Sequence, residues 1–158
     1  MDDGTGDRID DGLDDGIHIR PARPDDWEAI RLLWTDAGLS VRPAGRDRPG
    51  DFPRQLAAFA TTYLVAEIRG RLVGVVFGTH DQRKGWINRL AVHPTVRRRG
   101  VARRLIDACE RGFVDLGIEI FASLVEQENT VSAALFDAAG YKRDIPVHYF
   151  HKRLRPEV

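Results

Sequence analysis

The sequence predicts an α/β (α+β) domain of about seven strands and about four helices, and three observations carry that prediction. Short β-branched and apolar runs alternate with amphipathic stretches of helical period along most of the 158 residues. Residues 63–68 and 72–78 are two such runs separated by the pair Arg69-Gly70, the mark of an antiparallel hairpin. Residues 90–110, LAVHPTVRRRGVARRLIDACE, read as an apolar strand, a tight turn dense in arginine, and a glycine that opens an amphipathic helix.

The elements follow in order. Residues 17–20 are the first strand. Asp25 or Asp26 begins a helix whose Trp27, Ile30, Leu33, Trp34 and Ala37 share one face. Residues 40–50, rich in Pro, Gly and Arg, are a loop, and Asp51 caps a short helix with Leu56 and Phe59 facing inward. After the hairpin comes a strand over residues 86–92, broken by Pro94 and residues 95–99. Val101, Leu105, Ala108, Cys109 and Leu116 then give the helix after Gly100 its buried face. Residues 118–125 are a strand. In residues 128–142, ENTVSAALFDAAGYK, Asn129 caps a helix with the stripe Val131, Ala134, Leu135 and Ala138, and Gly140 closes it. Residues 141–143 and 147–151 are a final pair of strands around Pro146.

Residues 17–158 are read as a single domain, long enough for one core and without internal repeats. The neutral net charge hides an asymmetry: residues 1–16 carry seven aspartates against one arginine, a balance of −6, which leaves +6 on the rest. That segment has too few apolar groups to pack and is expected to be a disordered acidic tail. No apolar run reaches membrane-spanning length, and the chain does not start with a basic, apolar signal pattern. Cys109 is the only cysteine, which excludes an intrachain disulfide and fits a cytoplasmic protein. No His, Cys or carboxylate cluster has metal-ligand spacing, so no metal is expected.

The turn before Gly100 is the candidate binding site. The first turn of a helix carries N–H groups without intrahelical partners and a partial positive charge, so a phosphate is its natural guest. Gly100 allows close approach of the backbone, and Arg97, Arg98, Arg99 and Arg103 add cationic side chains. Neither G-x-x-x-x-G-K-[ST] nor G-x-G-x-x-G occurs, which excludes a P-loop and leaves a dinucleotide fold without support.

The pattern Arg97-x-x-Gly100-x-Ala102, preceded by Leu90-Ala91-Val92 and His93-Pro94, resembles the pyrophosphate loop of the GNAT superfamily of acyl-CoA-dependent N-acetyltransferases. The segment from Asn129 to Gly140-Tyr141 is similar to a second signature of that family, an Asn, an aliphatic helix, then Gly and an aromatic. The resemblance spans roughly residues 17–154 and implies a mixed, mostly antiparallel central sheet whose fourth and fifth strands splay apart around the coenzyme. It implies acetyl-CoA as co-substrate, its pyrophosphate held by Arg97, Arg98, Arg99, Gly100, Val101, Ala102 and Arg103. Leu90, Ala91 and Val92 would line the pantetheine, the Val92 N–H polarising the thioester carbonyl, and Asn129, Ser132 and Phe136 would be further coenzyme contacts.

Two positions depart from the family's pattern. Members frequently carry a carboxylate on the fourth strand, where this chain has Asn88-Arg89; the nearest substitutes as general base are Glu126 and Asp81. Members commonly carry a tyrosine seven residues after the helix-opening Asn, where this chain has Phe136, which cannot donate a proton; Tyr149 and His148 are the stand-ins, on opposite faces of their strand. Trp86 and Asn88 share a strand face and are placed beside the acceptor. The resemblance thus implies direct transfer of an acetyl group to a primary amine of a small molecule, peptide or protein, with Asn88, Glu126 and Tyr149 as catalytic candidates. An acyl-CoA-binding module without turnover remains the alternative. A nucleic-acid partner is not expected, since no aromatic lies between Val92 and Arg111 to interleave with the arginines. No membrane partner is expected either, and a homodimer is left open.

Overall fold

A computed structural model describes residues 16–143 and 146–157. Apart from Gly16, the tail expected over residues 1–16 lies outside the described residues. The chain forms a mixed sheet of five strands, β1 (Ile17–Pro21), β2 (Tyr63–Ile68), β3 (Arg71–His80), β4 (Gly85–Val92) and β5 (Phe121–Ala122), in that spatial order. Four helices flank it: α1 (Trp27–Asp36), α2 (Phe52–Ala58), α3 (Val101–Asp115) and α4 (Thr130–Ala138). β1 to β4 are antiparallel neighbours, and β5 runs parallel to β4.

Two cores lie on opposite faces of the sheet. Ile30, Leu33 and Trp34 of α1 and Phe52 and Leu56 of α2 pack on Tyr63, Val65, Val75 and Ala91. Val101, Leu105, Ile106, Cys109 and Phe113 of α3 pack on Leu64, Ala66, Val76 and Ile87, with Phe136 of α4 alongside. The expected α1 face and most of the expected α3 face are thus the buried ones, because a 3.6-residue period selects one stripe for the sheet; Leu116, past the last turn of α3, is 48% exposed, and Ile106 and Phe113 are buried instead. Asp26 is the acid at the start of α1. Its carboxylate accepts from Arg23 N–H (2.7 Å) and from both terminal nitrogens of Arg20 (2.7 and 2.9 Å), while Arg20 Nε reaches Glu67 (3.0 Å). Burial works against the Asp26 charge, but these donors outweigh it and hold its pKa below the ordinary carboxylate value. One arginine so ties β1, β2 and the start of α1 together.

The expected count of seven strands becomes five among the described residues. β5 keeps only two residues of the predicted 118–125, and residues 141–143 and 146–157 join no ladder. Within the last segment the rings of His148 and Phe150 lie 6.2 Å apart and those of Tyr149 and His151 5.8 Å apart, the same-side neighbours of extended backbone. Alternation specifies extension locally, whereas a ladder needs a partner from elsewhere in the chain, and Pro146 offers no N–H to one. The stripe on α4 also differs. Val131 is 81% exposed and Phe136 only 8%, because the helix touches α3 through its C-terminal half. There Arg103 donates to Ala138 O (2.9 Å) and Phe136 packs edge-on against Tyr141. No helix among the described residues is long and apolar enough to cross a membrane.

Cys109 lies fully buried on the inner face of α3, its sulfur 3.7 Å from Thr62 O. Burial pushes its thiol up to about 12. The folded state therefore holds the proton while an unfolded chain releases it above about pH 8.5, so this site's stabilisation is complete below that pH and is lost as pH rises toward 12. Between pH 7 and pH 10 the protein should lose about 2 kcal/mol more stability than Cys109→Ala. Urea melts of both forms at the two pH values check this, and parallel losses would show that the thiol ionises freely in the fold.

Candidate active site

The centre of the candidate site is the place where β4 leaves β5. The two strands pair only at Gly85↔Phe121 and Trp86↔Ala122. One residue further, the Ser123 hydroxyl takes over and donates to Ile87 O (2.9 Å). Beyond it β4 continues to Val92 with β3 on one side and a gap on the other. His93 N–H donates to Val73 O (2.8 Å), so the antiparallel alternation turns the N–H and carbonyl of the preceding Val92 away from β3 and toward that gap.

A bulge in β4 sets which side chains face where. Val75 opposes Ala91 and Phe77 opposes Asn88, so Arg89 and Leu90 together face the single residue Val76. Arg89 takes a left-handed φ of 50°. The extra residue lets Ile87, Leu90 and Val92 all join the α3 core while Ala91 joins the α1 core. Leu90 and Val92 are half-buried along the gap, and Ala91 is buried behind it.

The turn after β4 is anchored to the end of α1. His93 Nδ1 accepts from Thr95 N–H (3.3 Å), its Nε2 stands 3.7 Å from Asp36, and Pro94–Val96 makes one turn of 3-10 helix. Arg97 folds back, its Nε toward Val92 O (3.4 Å) and Nη2 toward Ala37 O (3.5 Å). Arg98 (φ 62°) and Gly100 (φ 81°) are both left-handed, which curls the backbone into a concave loop before α3. Among the described residues the N–H groups of residues 98–103 have no acceptor; the first to find one is Arg104, on Gly100 O (3.0 Å). These N–H groups, the positive end of α3 and the exposed side chains of Arg98 and Arg99 make a seat for an anion. Arg103 differs from its neighbours. Its Nε is bound to Asp107 (2.8 Å) and its Nη1 to Ala138 O, so it joins α3 to the end of α4 and does not stand free at the seat.

The remaining candidates are distributed as follows. Asn129 Oδ1 accepts from Ser132 N–H (3.0 Å), so both residues form the cap of α4. Phe136 sits in the α3 core. Asn88 Nδ2 donates to Thr79 Oγ1 (2.9 Å) and Trp86 O (3.2 Å), which fixes its amide on the α1 side of β4. Glu126 is exposed beyond β5. Asp81 is taken up by its own turn, accepting from Arg83 N–H (2.9 Å) and Lys84 N–H (2.8 Å); these bonds lower its pKa and make it a weak base. Tyr149 is 75% exposed in the segment that joins no ladder, so the structure does not bring it to Asn88 and Glu126, and the strand that was to present it is not formed. Among the described residues no group of three or more His, Cys, Asp or Glu is arranged to hold a metal ion.

The part that Arg89 plays on the α1 side of the β4 bulge was not anticipated. Arg89 stacks on Trp34, with its Cζ 3.9 Å from the ring centre, and its Nη1 donates to Ser40 O (2.9 Å). Asp47 reaches in from the loop between α1 and α2, its Oδ1 3.6 Å from Arg89 Nη2 and its Oδ2 accepting from Arg42 N–H (2.8 Å). A cation inside a mostly apolar strand was the visible signal; the bulge that turns it toward Trp34 was not visible.

The profile of the acetyltransferase (GNAT) family matches residues 27–141. A protein described as an acetyltransferase, from Pectobacterium atrosepticum, is 33% identical over 126 residues, covering 80% of this chain and 88% of that one. Solved structures share the fold. Ard1 from Thermoplasma volcanium superposes with a TM-score of 0.72 at 18% identity, covering 82% of this chain and 85% of its own. The aminoglycoside N-acetyltransferase AAC(6')-Iy in complex with CoA gives 0.70 at 24% identity, covering 87% of this chain and 95% of its own.

Proposed function

This chain belongs to the acetyltransferase (GNAT) family, and on that premise we propose that it transfers an acetyl group from acetyl-CoA directly to a primary amine. The observation that carries this reading is the parting of β4 from β5 immediately before an uncapped, arginine-rich N-terminus of α3. The pyrophosphate sits on the free N–H groups of residues 98–103 with Arg98 and Arg99, and the pantetheine arm lies in the gap along Leu90 and Val92.

The acceptor nitrogen attacks the thioester carbonyl carbon, and the oxyanion that forms is held by the Val92 N–H turned into the gap. The attacking nitrogen gives up a proton, through water, to Glu126; the amide of Asn88 orients the amine. The C–S bond then breaks and CoA leaves as a thiolate. With Phe136 where a proton donor stands in many relatives, the thiolate is protonated by solvent. A thiol pKa near 8.5 makes unassisted departure cost about 2 kcal/mol at neutral pH, or about thirtyfold in rate. This is less than positioning and the oxyanion donor contribute.

Calorimetry with acetyl-CoA, and thiol release over a panel of amines, test the reading. Acetyl-CoA should bind, and turnover should climb from pH 7 to pH 9 as the acceptor amine loses its proton. Phe136→Tyr should raise the rate near pH 7 by up to about tenfold and flatten that profile. Absence of acetyl-CoA binding would remove the proposal. Binding without turnover in either form would favour the second reading, an acyl-CoA-binding module, for which Phe136 and the carboxylate-free β4 speak.

A further inference from the structure

The cluster around Arg89 holds several hydrogen-bond donors and too few acceptors. Trp34 Nε1, Tyr63 Oη and both Nε and Nη2 of Arg89 are buried and, among the described residues, have no hydrogen-bond partner. Tyr63 is fully buried and Trp34 nearly so. Buried donors left in this way cost about 1–3 kcal/mol each, so a site keeps them only when something else completes it. The sheet register brings them together. Tyr63 on β2 pairs with Phe77 on β3, and Phe77 pairs with Asn88 beside Arg89 on β4, so Tyr63, Phe77 and Arg89 cross the sheet on the α1 side.

Asp47 does not satisfy the cluster. Its Oδ1 stands 3.6 Å from Arg89 Nη2 and its Oδ2 3.8 Å from Arg46 Nε, beyond hydrogen-bonding distance of either, and Oδ2 is engaged by the Arg42 N–H. Two guanidinium groups, of Arg46 and Arg89, and the Arg42 N–H therefore face one carboxylate. The unbonded edge of Arg89 is also specific. With Nη1 on Ser40 O, the free pair is Nε and Nη2, two parallel N–H groups along one side of the guanidinium. That edge matches the two oxygens of a planar carboxylate. Burial raises the Tyr63 pKa, which keeps its hydroxyl protonated and available as a further donor.

We propose that Arg89, with Tyr63, forms a subsite for a carboxylate carried by the acceptor substrate. This deepens the transferase reading and rests on it for the word acceptor. Arg89 lies next to Asn88 and Leu90 on β4, so a carboxylate bound there places the rest of the molecule along the gap where the thioester is presented. The loop carrying Ser40 and Asp47 covers the subsite and shifts outward as the ligand carboxylate takes the Nε/Nη2 edge. The acceptor class is then an amine that also bears a carboxylate, such as an amino acid or a peptide end.

The Arg89 side chain itself reports on this. In 15N-labelled protein its Nε–H resonance, assigned by its loss in Arg89→Lys, is followed during separate titrations with sodium acetate, acetamide and inorganic phosphate. Acetate should move the resonance saturably, acetamide should leave it in place, and phosphate should act more weakly than acetate. Tyr63→Phe, which keeps the ring, should weaken acetate binding about tenfold while the melting temperature shows the fold intact. No response to acetate, an equal response to acetamide, a stronger response to phosphate, or unchanged acetate affinity in Tyr63→Phe would each overturn the subsite. Acetyl-CoA binding is measured on the same samples. Its loss alone would overturn the transferase reading, and a silent Arg89 beside intact acetyl-CoA binding would overturn only the carboxylate subsite.

Discussion

Gly100→Asp should abolish tight binding of acetyl-CoA, with the dissociation constant rising by at least about a hundredfold. A Cβ at position 100 would meet nothing within 4 Å, so the change is not steric. Its force is electrostatic. A carboxylate about 4 Å from a phosphate, at an effective dielectric near 20, is repelled by about 4 kcal/mol, nearly a thousandfold in affinity. Part of this is relieved by movement of the side chain and by Arg98 and Arg99. The left-handed φ of 81° adds about 1–2 kcal/mol of strain for a residue with a Cβ, and Asn and Asp tolerate that region comparably. Gly100→Asn is therefore the matched control: similar backbone cost, no charge. Calorimetry should show a modest loss for Asn and near-complete loss for Asp. Equal losses would mean that only the backbone matters, and equal retention would place the phosphates elsewhere.

The largest expected loss of stability comes from a much smaller substitution. Gly112→Ala puts a methyl group where its carbon would lie 2.5 Å from the Thr61 carbonyl oxygen and 3.0 Å from Thr62 Cγ2. In an exposed helix that change would gain up to about 1 kcal/mol from propensity. Here the nearest obstacle is backbone, which cannot rotate aside, so α3 must move off the start of β2. Overpacking of this kind costs about 1–3 kcal/mol, and the expected net effect is a destabilisation of about 2 kcal/mol. Arg111→Ala, on the exposed side of the same helix, should stay within about 0.5 kcal/mol of the wild type. Urea unfolding of the three proteins decides the matter, and a Gly112→Ala variant as stable as the wild type would show that α3 slides freely over the sheet.

The parts of the site that were legible in the sequence are those that depend on neighbours along the chain. Gly100 stands at its helix start because no residue with a Cβ adopts φ 81° without strain, and Pro94 ends β4 because it has no N–H to continue the ladder. Asn129 caps α4 because a short side-chain oxygen reaches the N–H of Ser132 three residues on. The arginine turn, the two helix faces and the hairpin at Arg69-Gly70 are of the same kind. The roles of single arginines were not legible. Arg97, Arg98, Arg99 and Arg103 are equivalent as letters, but Arg97 leans on the end of α1 and Arg103 on the end of α4, leaving Arg98 and Arg99 at the anion seat. Which neighbours they meet depends on where α1 and α4 come to rest.

Period, punctuation and local charge were thus sufficient for the element order as far as α4, for the arginine-rich turn before α3 and for the family resemblance, since each is written within a window of a few residues. Tertiary packing alone decided the rest. It set the two-residue contact that lets β4 and β5 part, the exposure of Tyr149, and the bulge that turns Arg89 onto Trp34 beneath the loop of Asp47. Each of these joins residues tens of positions apart. Their pairing depends on which backbone groups are left without a nearer partner once the sheet has formed, and the alternation of residue types along one strand carries no record of that.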